Sequence, residues 1–381
     1  MTGWTELGTN WGYTLNNLSV FVVLVVAGAL VWKGSRRVYW REAARRVVKS
    51  RKALVCFTVL CLYGVVGLLD SIAWRDALRD ENGAVVRSDD GKRVLQTRGR
   101  TLLDRLDAAT LNLDGRTEKT FSAPFATHSF VKETVRSEGG VASREHVPLR
   151  YPRAHPLGTD RVGDDVLYKS LKGVRTALVI GGVTTLLVIP FALFFGIVAG
   201  YFGKWVDDAT TYVYTTLASI PDVLVIAAFM LIFGRGLAQL CLIMGVTTWT
   251  GLCRVLRGET LKLRESEFVL AAKAFGVSSW RIMTRHILPN VLHIVLISSA
   301  LRFSGLVLSE AVLSYLNIGV GPSTTSWGGM INDARFELSR DPTVWWNLVA
   351  AFAFMFGLVL PANLFGDAVR DALDPRLRSE A

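Results

Sequence analysis

Seven stretches of this chain are long and apolar enough to be at home only away from water, and they restrict the fold more than any motif does. A helix needs roughly twenty consecutive apolar residues to cross a bilayer, and in lipid it must satisfy every backbone N–H and C=O internally. The runs are Thr14–Trp32, Ala53–Ile72, Val174–Phe202, Ala209–Phe233, Leu237–Leu252, Val291–Leu316 and Trp345–Phe365. The fifth is the shortest. Trp11, Trp32, Trp74, Trp205, Trp345 and Trp346 stand at run ends, where amphipathic rings prefer the lipid–water boundary. With 51% hydrophobic residues and a mean hydropathy of +0.35, the chain reads as an all-α polytopic membrane protein.

A formal charge of +11 is then a statement about topology before it is one about nucleic acid. Residues 33–52, KGSRRVYWREAARRVVKSRK, hold nine Lys or Arg against one Glu and separate the first two runs, which predicts a cytoplasmic segment. Alternating from there, the N-terminus lies outside, and residues 203–208, 254–290 and the tail 367–381 are cytoplasmic. Arg254 to Arg285 carries seven basic and three acidic residues, in agreement. The first run resembles a signal peptide in position, but its basic flank follows the apolar run and no small-residue cleavage site is evident.

Residues 73–173 form a polar insert predicted to face outward. Leu102, Leu103, Leu106, Ala109 and Leu113 suggest an amphipathic helix, and DENG and SDDGKR, near Asn82 and Asp90, a hairpin or turn. Its charges nearly cancel, so it is no nucleic-acid patch. GTDRVGDDVLYKS, from Gly158, is the nearest thing to a phosphate-binding loop, but Asp164 and Asp165 follow Gly163 where the lysine should be and would repel phosphate. The histidines His128, His146, His155, His286 and His293 have no metal-ligand spacing, and Cys56, Cys61, Cys241 and Cys253 suggest neither a disulfide framework nor a zinc site. No catalytic set is present.

Among the spans, Asp222 and Glu310 are costly to place in lipid and are candidates for lining a translocation path. The alternative is structural: an ion pair of Glu310 with Arg302, or a span that begins later than Asp222. Gly196 and Gly200, four apart in GIVAGYFG, suit close helix packing.

The stretch 267–290, EFVLAAKAFGVSSWRIMTRHILPN, is too charged to span and too patterned for a loop. Phe268, Ala271, Ala272 and Phe275 fall at helical spacing, Gly276 can end that helix in a left-handed cap, Ser278 or Ser279 can start another, and Pro289 is expected to break it. It is similar to the cytoplasmic "EAA" loop of ABC importer permeases: Ala271, Ala272, Gly276, Leu288 and Pro289 match, while Leu270 stands at the usual Glu and His286 at the usual Ile. If that Glu makes a polar contact, Glu267 one turn earlier is the available substitute. HPLGTDRVGDDVLYKS from His155, GYFGKWVDDA from Gly200, SIPDVL from Ser219, LSEAVLSYLNIGVGPSTTSWGGM from Leu308 and NLFGDAVRDALDPRLR from Asn363 resemble, in order, the C-type subunits of dipeptide and oligopeptide permeases. The likeness covers Tyr39 to about Lys52 weakly and His155 to Arg378 strongly.

That resemblance implies a type I ABC importer permease fold. About six core transmembrane helices are expected, with one extra N-terminal helix (residues 1–32), the basic segment and first family span (33–72), the extracytoplasmic insert (73–173) and the core (174–366). It implies a multi-pass subunit of a bacterial or archaeal plasma (inner) membrane, partnered by a second homologous permease, two ATP-binding subunits, an extracytoplasmic solute-binding protein and membrane lipid, with no nucleic acid. The chain is expected to be no enzyme and to bind no cofactor or metal, ATP and Mg being used by the partners. Phe268, Phe275 and Trp280 would fill a pocket of the ATPase, with Ala271, Ala272, Gly276, His286, Leu288 and Pro289 completing the coupling loop. The insert exceeds the family's outer loop by roughly half its length, either as a lid or docking face or as a stabilising decoration. Nickel and glutathione permeases share these signatures, so the solute stays open. A membrane-anchored sensor, an intramembrane enzyme using Asp222 or Glu310, and a secondary transporter are the rival classes.

Overall fold

The computed structural model describes residues 38–75, 86–87, 99–136 and 142–373, together with 17, 18 and 21. The expected first span Thr14–Trp32 and the expected turns at Asn82 and Asp90 lie outside them. Among the described residues five helices are long and apolar enough to cross a membrane, and a bent pair makes a sixth if counted as one span. In chain order the helices are α1 (Val38–Lys49), α2 (Arg51–Ser71), α3 (Leu102–Thr110), α4 (Val166–Phe202), α5 (Lys204–Ser219), α6 (Asp222–Phe233), α7 (Leu237–Arg264), α8 (Glu267–Ala274), α9 (Ser279–Tyr315), α10 (Trp327–Glu337) and α11 (Trp346–Leu373). Two short antiparallel pairs accompany them, β1 (Ala73–Trp74) with β2 (Arg100–Thr101), and β3 (Glu133–Arg136) with β4 (Ala142–Glu145).

Two expectations about these helices are corrected. The run Ala209–Phe233 is not one helix: α5 and α6 meet at 80°. Pro221 drives the preceding Ile220 into extended backbone (φ −94, ψ 130), which ends α5. Pro289 does not break its helix either. Its missing N–H and crowding ring tell against an ordinary α turn, but Met283–Ile287 form a wider π turn, in which the Leu288 N–H reaches the Met283 carbonyl, and α9 runs on from Ser279 to Tyr315.

The chain divides into two compact units. The first (Met1–Glu42, Cys61–Arg175 and Ala334–Ala351) contains the polar insert. The expected amphipathic helix is there as α3, opened by a capping box in which the Thr101 hydroxyl accepts from Asp104 N–H and the Asp104 carboxylate accepts from Thr101 N–H. Asp104 also takes the Tyr168 hydroxyl at 2.8 Å, and Lys172 Nζ lies 2.6 Å from both Asp104 and Asp70. Burial by itself raises the Asp104 carboxyl, but the bonds from Lys172, Thr101 N–H and Tyr168 outweigh it and hold the group below the ordinary carboxylate range.

The stretch from His155 is a helix entrance. Asp165 caps α4 by accepting from Tyr168 N–H at 2.9 Å, and its other oxygen takes His155 Nδ1 at 2.8 Å, both side chains buried. Asp160 and Asp164 pair with Lys169. The buried Trp346 indole donates to the Thr159 carbonyl at 2.9 Å. The acidic residues that exclude phosphate therefore have structural partners of their own.

The second unit (Ala43–Leu60, Thr176–Asp333 and Phe352–Ala381) holds two apolar clusters. One gathers Ile180, Ile226, Met230, Leu240, Met244, Leu306 and Leu313. The other joins Val188, Ala192, Tyr201, Tyr214, Trp249, Leu256 and the segment 269–295. Close packing of α4 on α7 depends on the glycine pair foreseen in the sequence: a Cβ on Gly200 would stand 2.6 Å from Thr260 Cβ, and one on Gly196 would stand 2.8 Å from Leu256 Cβ. Phe194, Leu231, Ile232, Phe352 and Phe356 point away from these clusters and are exposed, as lipid-facing side chains would be.

Candidate coupling site

The helix–glycine–helix pattern folds as a hairpin within the second unit. Ser266 caps α8, its carbonyl accepting from Val269 and Leu270 N–H, each at 3.0 Å. At the other end Gly276 (φ +75) takes the left-handed position. Its N–H bonds the Lys273 carbonyl at 3.0 Å, and the Val277 N–H bonds the Ala272 carbonyl at 3.1 Å. Those two bonds form a Schellman motif, which favours glycine because of its φ. Nothing lies within 4 Å of a Cβ built there, so space is not the constraint. Ser278 then caps α9, with its carbonyl accepting from Ile282 N–H at 3.0 Å.

The hairpin has two apolar faces. Val269, Ala272, Ile282, Met283 and Ile287 are buried in the cluster with Tyr201, Tyr214 and Leu256. Phe268 (44% exposed), Leu270 (46%), Phe275 (87%) and Trp280 (64%) lie outside it, and Ala271 is exposed with them. The periodic set Phe268, Ala271, Ala272 and Phe275 is therefore split: Ala272 joins Val269 inside, while the others form an outer stripe at i, i+3, i+7. The inner partner, Val269, carries an ordinary i, i+3 signal that the sequence reading passed over. Leu270, which replaces the usual Glu, enlarges the outer apolar surface, and Glu267 lies exposed in the first turn of α8.

His286 is half-buried, its ring centroid 6.5 Å from that of Phe268. Leu288 is partly buried against the inner cluster, and Pro289 is exposed. Lys273 lies over the Tyr201 ring at 5.2 Å and Arg254 over Tyr214 at 5.2 Å. Arg257 grips Asp207 in a fork, Nη2 to Oδ2 at 2.6 Å, and ties the last turns of α7 to the start of α5. The hairpin thus stands on a cross-braced base.

The two candidate path residues stand in different settings, one exposed and one buried. Asp222 is exposed at the first position of α6, where a carboxylate suits the helix N-terminus, and not in mid-helix. Glu310 is 3% exposed and accepts from the Ser314 hydroxyl at 2.6 Å. The anticipated pair with Arg302 is not formed, because Arg302 bonds the Thr248 carbonyl instead. The described residues include no cluster of metal-ligating side chains.

Membrane-length helices joined to a short, braced hairpin with an exposed apolar stripe define a polytopic membrane protein. Residues 192–379 match the family model described as the binding-protein-dependent transport system inner membrane component. The chain is 32% identical over 261 residues to the dipeptide transport system permease protein DppC of Bacillus subtilis (strain 168), covering 67% of this chain and 77% of that one. It is 31% identical to the oligopeptide transport system permease protein OppC of the same organism (59% and 72% covered). It is 32% identical to the glutathione transport system permease protein GsiD of Pectobacterium atrosepticum (59% and 74% covered). An inward-facing structure of the MetNI methionine ABC transporter aligns at 16% identity over 54% of this chain and 96% of that one, with a TM-score of 0.45. The chain belongs to the ABC importer permeases of the dipeptide and oligopeptide family, and is a multi-pass transport subunit.

Proposed function

We propose that this chain forms, with a second homologous permease, the path by which an ATP-driven importer moves di- or oligopeptides, and that its α8–α9 hairpin couples the path to two separate ATPase subunits. The observation that carries the coupling role is the hairpin's division of faces. One side is locked into the core by Val269, Ala272 and Ile282, while Phe268, Leu270, Phe275 and Trp280 leave an apolar stripe that nothing in this unit covers. Such a stripe suits a pocket on a partner. Because α9 is unbroken from Ser279 to Tyr315, a push on the hairpin is delivered along a rigid rod rather than across a hinge at Pro289.

In this reading residues 254–290 and 367–381 are cytoplasmic, the N-terminus and the insert 73–173 lie outside, and a solute-binding protein delivers from that side. ATP and Mg are handled by the ATPase subunits, and this chain holds no cofactor. Peptide as solute is supported by relatives named for dipeptides and oligopeptides. The relative named for glutathione favours a second, still peptide-like, solute. Purification of the intact complex from its own membranes, with mass spectrometry of co-eluting proteins and bound solute, tests the proposal. Recovery of two permeases, ATPase subunits and a peptide is expected; a preparation that never contains an ATPase overturns it.

A further inference from the structure

Near the middle of α9, Arg302 reaches α7 at that helix's own midpoint. Its Nη1 donates to the Thr248 carbonyl at 2.9 Å. Thr248 turns its hydroxyl back to the Met244 carbonyl at 2.7 Å, and Gly251, three residues on, leaves the space the guanidinium fills. A Cβ on Gly251 would stand 2.6 Å from Arg302 Nη2. Thr-Thr-Trp-Thr-Gly, residues 247–251, thus shapes a berth for a cation in a membrane-length helix.

A guanidinium offers five N–H donors and keeps its charge. Among the described residues Arg302 forms no ion pair, and one backbone carbonyl is its bonded acceptor. The carboxylate nearest in sequence on its own helix, Glu310, is held by Ser314. Arg302 is neither buried like Glu310 nor fully exposed. Unpaired cations at such depth are expensive and mark water-filled routes and ligand contacts. A planar fork with one donor pinned to backbone is pre-aimed, and its remaining donors match a carboxylate.

We propose that Arg302 is an anion-recognising group of the translocation path that receives a carboxylate of the passing solute. The idea rests on the importer reading above. Two arms test it in the intact complex reconstituted in proteoliposomes. In the first, Arg302→Cys is introduced with the four native cysteines changed to Ala and exposed to membrane-impermeant anionic methanethiosulfonate. Labelling that changes several-fold when vanadate traps the ATPases is expected, and absence of labelling in every state overturns the assignment. In the second, Arg302→Gln is compared with the unaltered complex for uptake of alanyl-alanine and of its C-terminal amide. A drop of about tenfold to a hundredfold for the free acid is expected, with the amide little changed. Equal losses of both overturn the proposal, as does a variant that sheds the second permease on purification, which would make Arg302 an inter-subunit contact. If the unaltered complex moves neither probe, the dipeptide reading fails, and the labelling arm still decides Arg302.

Discussion

Replacing Phe275 by Ala should weaken the grip of the ATPase on this chain while leaving the chain itself intact. Phe275 is the C-cap of α8 and is 87% exposed, so within this unit its ring adds almost nothing to folding. If the ring is buried on docking, its removal forfeits about 1.5–3 kcal/mol of transfer free energy, a factor of roughly 10 to 150 in the dissociation constant. Val269→Ala is the matched control. That side chain is fully buried, and its loss should lower the thermal stability of the hairpin by about 1–2 kcal/mol. Binding of purified ATPase to the permease pair in nanodiscs, alongside thermal unfolding of the permease alone, separates the two effects. Phe275→Ala with undiminished ATPase binding would refute the coupling assignment, and so would a loss of permease stability equal to that of Val269→Ala.

Gly276→Ala meets no neighbour, so its cost is the left-handed backbone alone, about 1–2 kcal/mol; the hairpin should fray, seen as faster amide exchange in 272–278 with the spans unaffected. Gly200→Val brings a Cβ within 2.6 Å of Thr260 Cβ and 2.8 Å of the Arg257 carbonyl, and should force α4 off α7 at a cost of about 1–3 kcal/mol or more, read as loss of monodisperse protein in detergent. Because the folded Asp104 carboxyl sits below its ordinary range, its contribution to stability is fully present above that range and is lost as pH falls through the folded value. Limited proteolysis near α3 from about pH 6 to about pH 3 should therefore show protection that fades only at the acidic end, and Asp104→Asn should be less protected at neutral pH and less sensitive to acid.

Much of this protein was legible before folding because its strongest signals are local. A twenty-residue apolar run specifies a membrane helix whatever its neighbours do, and α2, α4, α7, α9 and α11 match five of the expected runs in place. The glycine cap at 276 and the serine start at 278 follow from φ preference and from orphan backbone groups, which are properties of a few adjacent residues. Gly196 and Gly200 were also readable as a close-packing face, although their partner, α7, was not.

Tertiary structure alone decided which face of each helix is inside. Phe268, Ala271, Ala272 and Phe275 are equivalent in a hydrophobicity pattern, and only packing against Tyr201, Tyr214 and Leu256 puts Ala272 within and leaves the aromatics out. Pro221 and Pro289 carry the same local handicap, yet one ends a helix and the other is absorbed by a π turn. Polar partners were equally out of reach. Arg302 chose a backbone carbonyl on α7 over Glu310 eight residues along its own helix, because a glycine on a distant segment made room. Local sequence sets which conformations a segment prefers; which contacts fill its remaining valences depends on residues brought close only by folding.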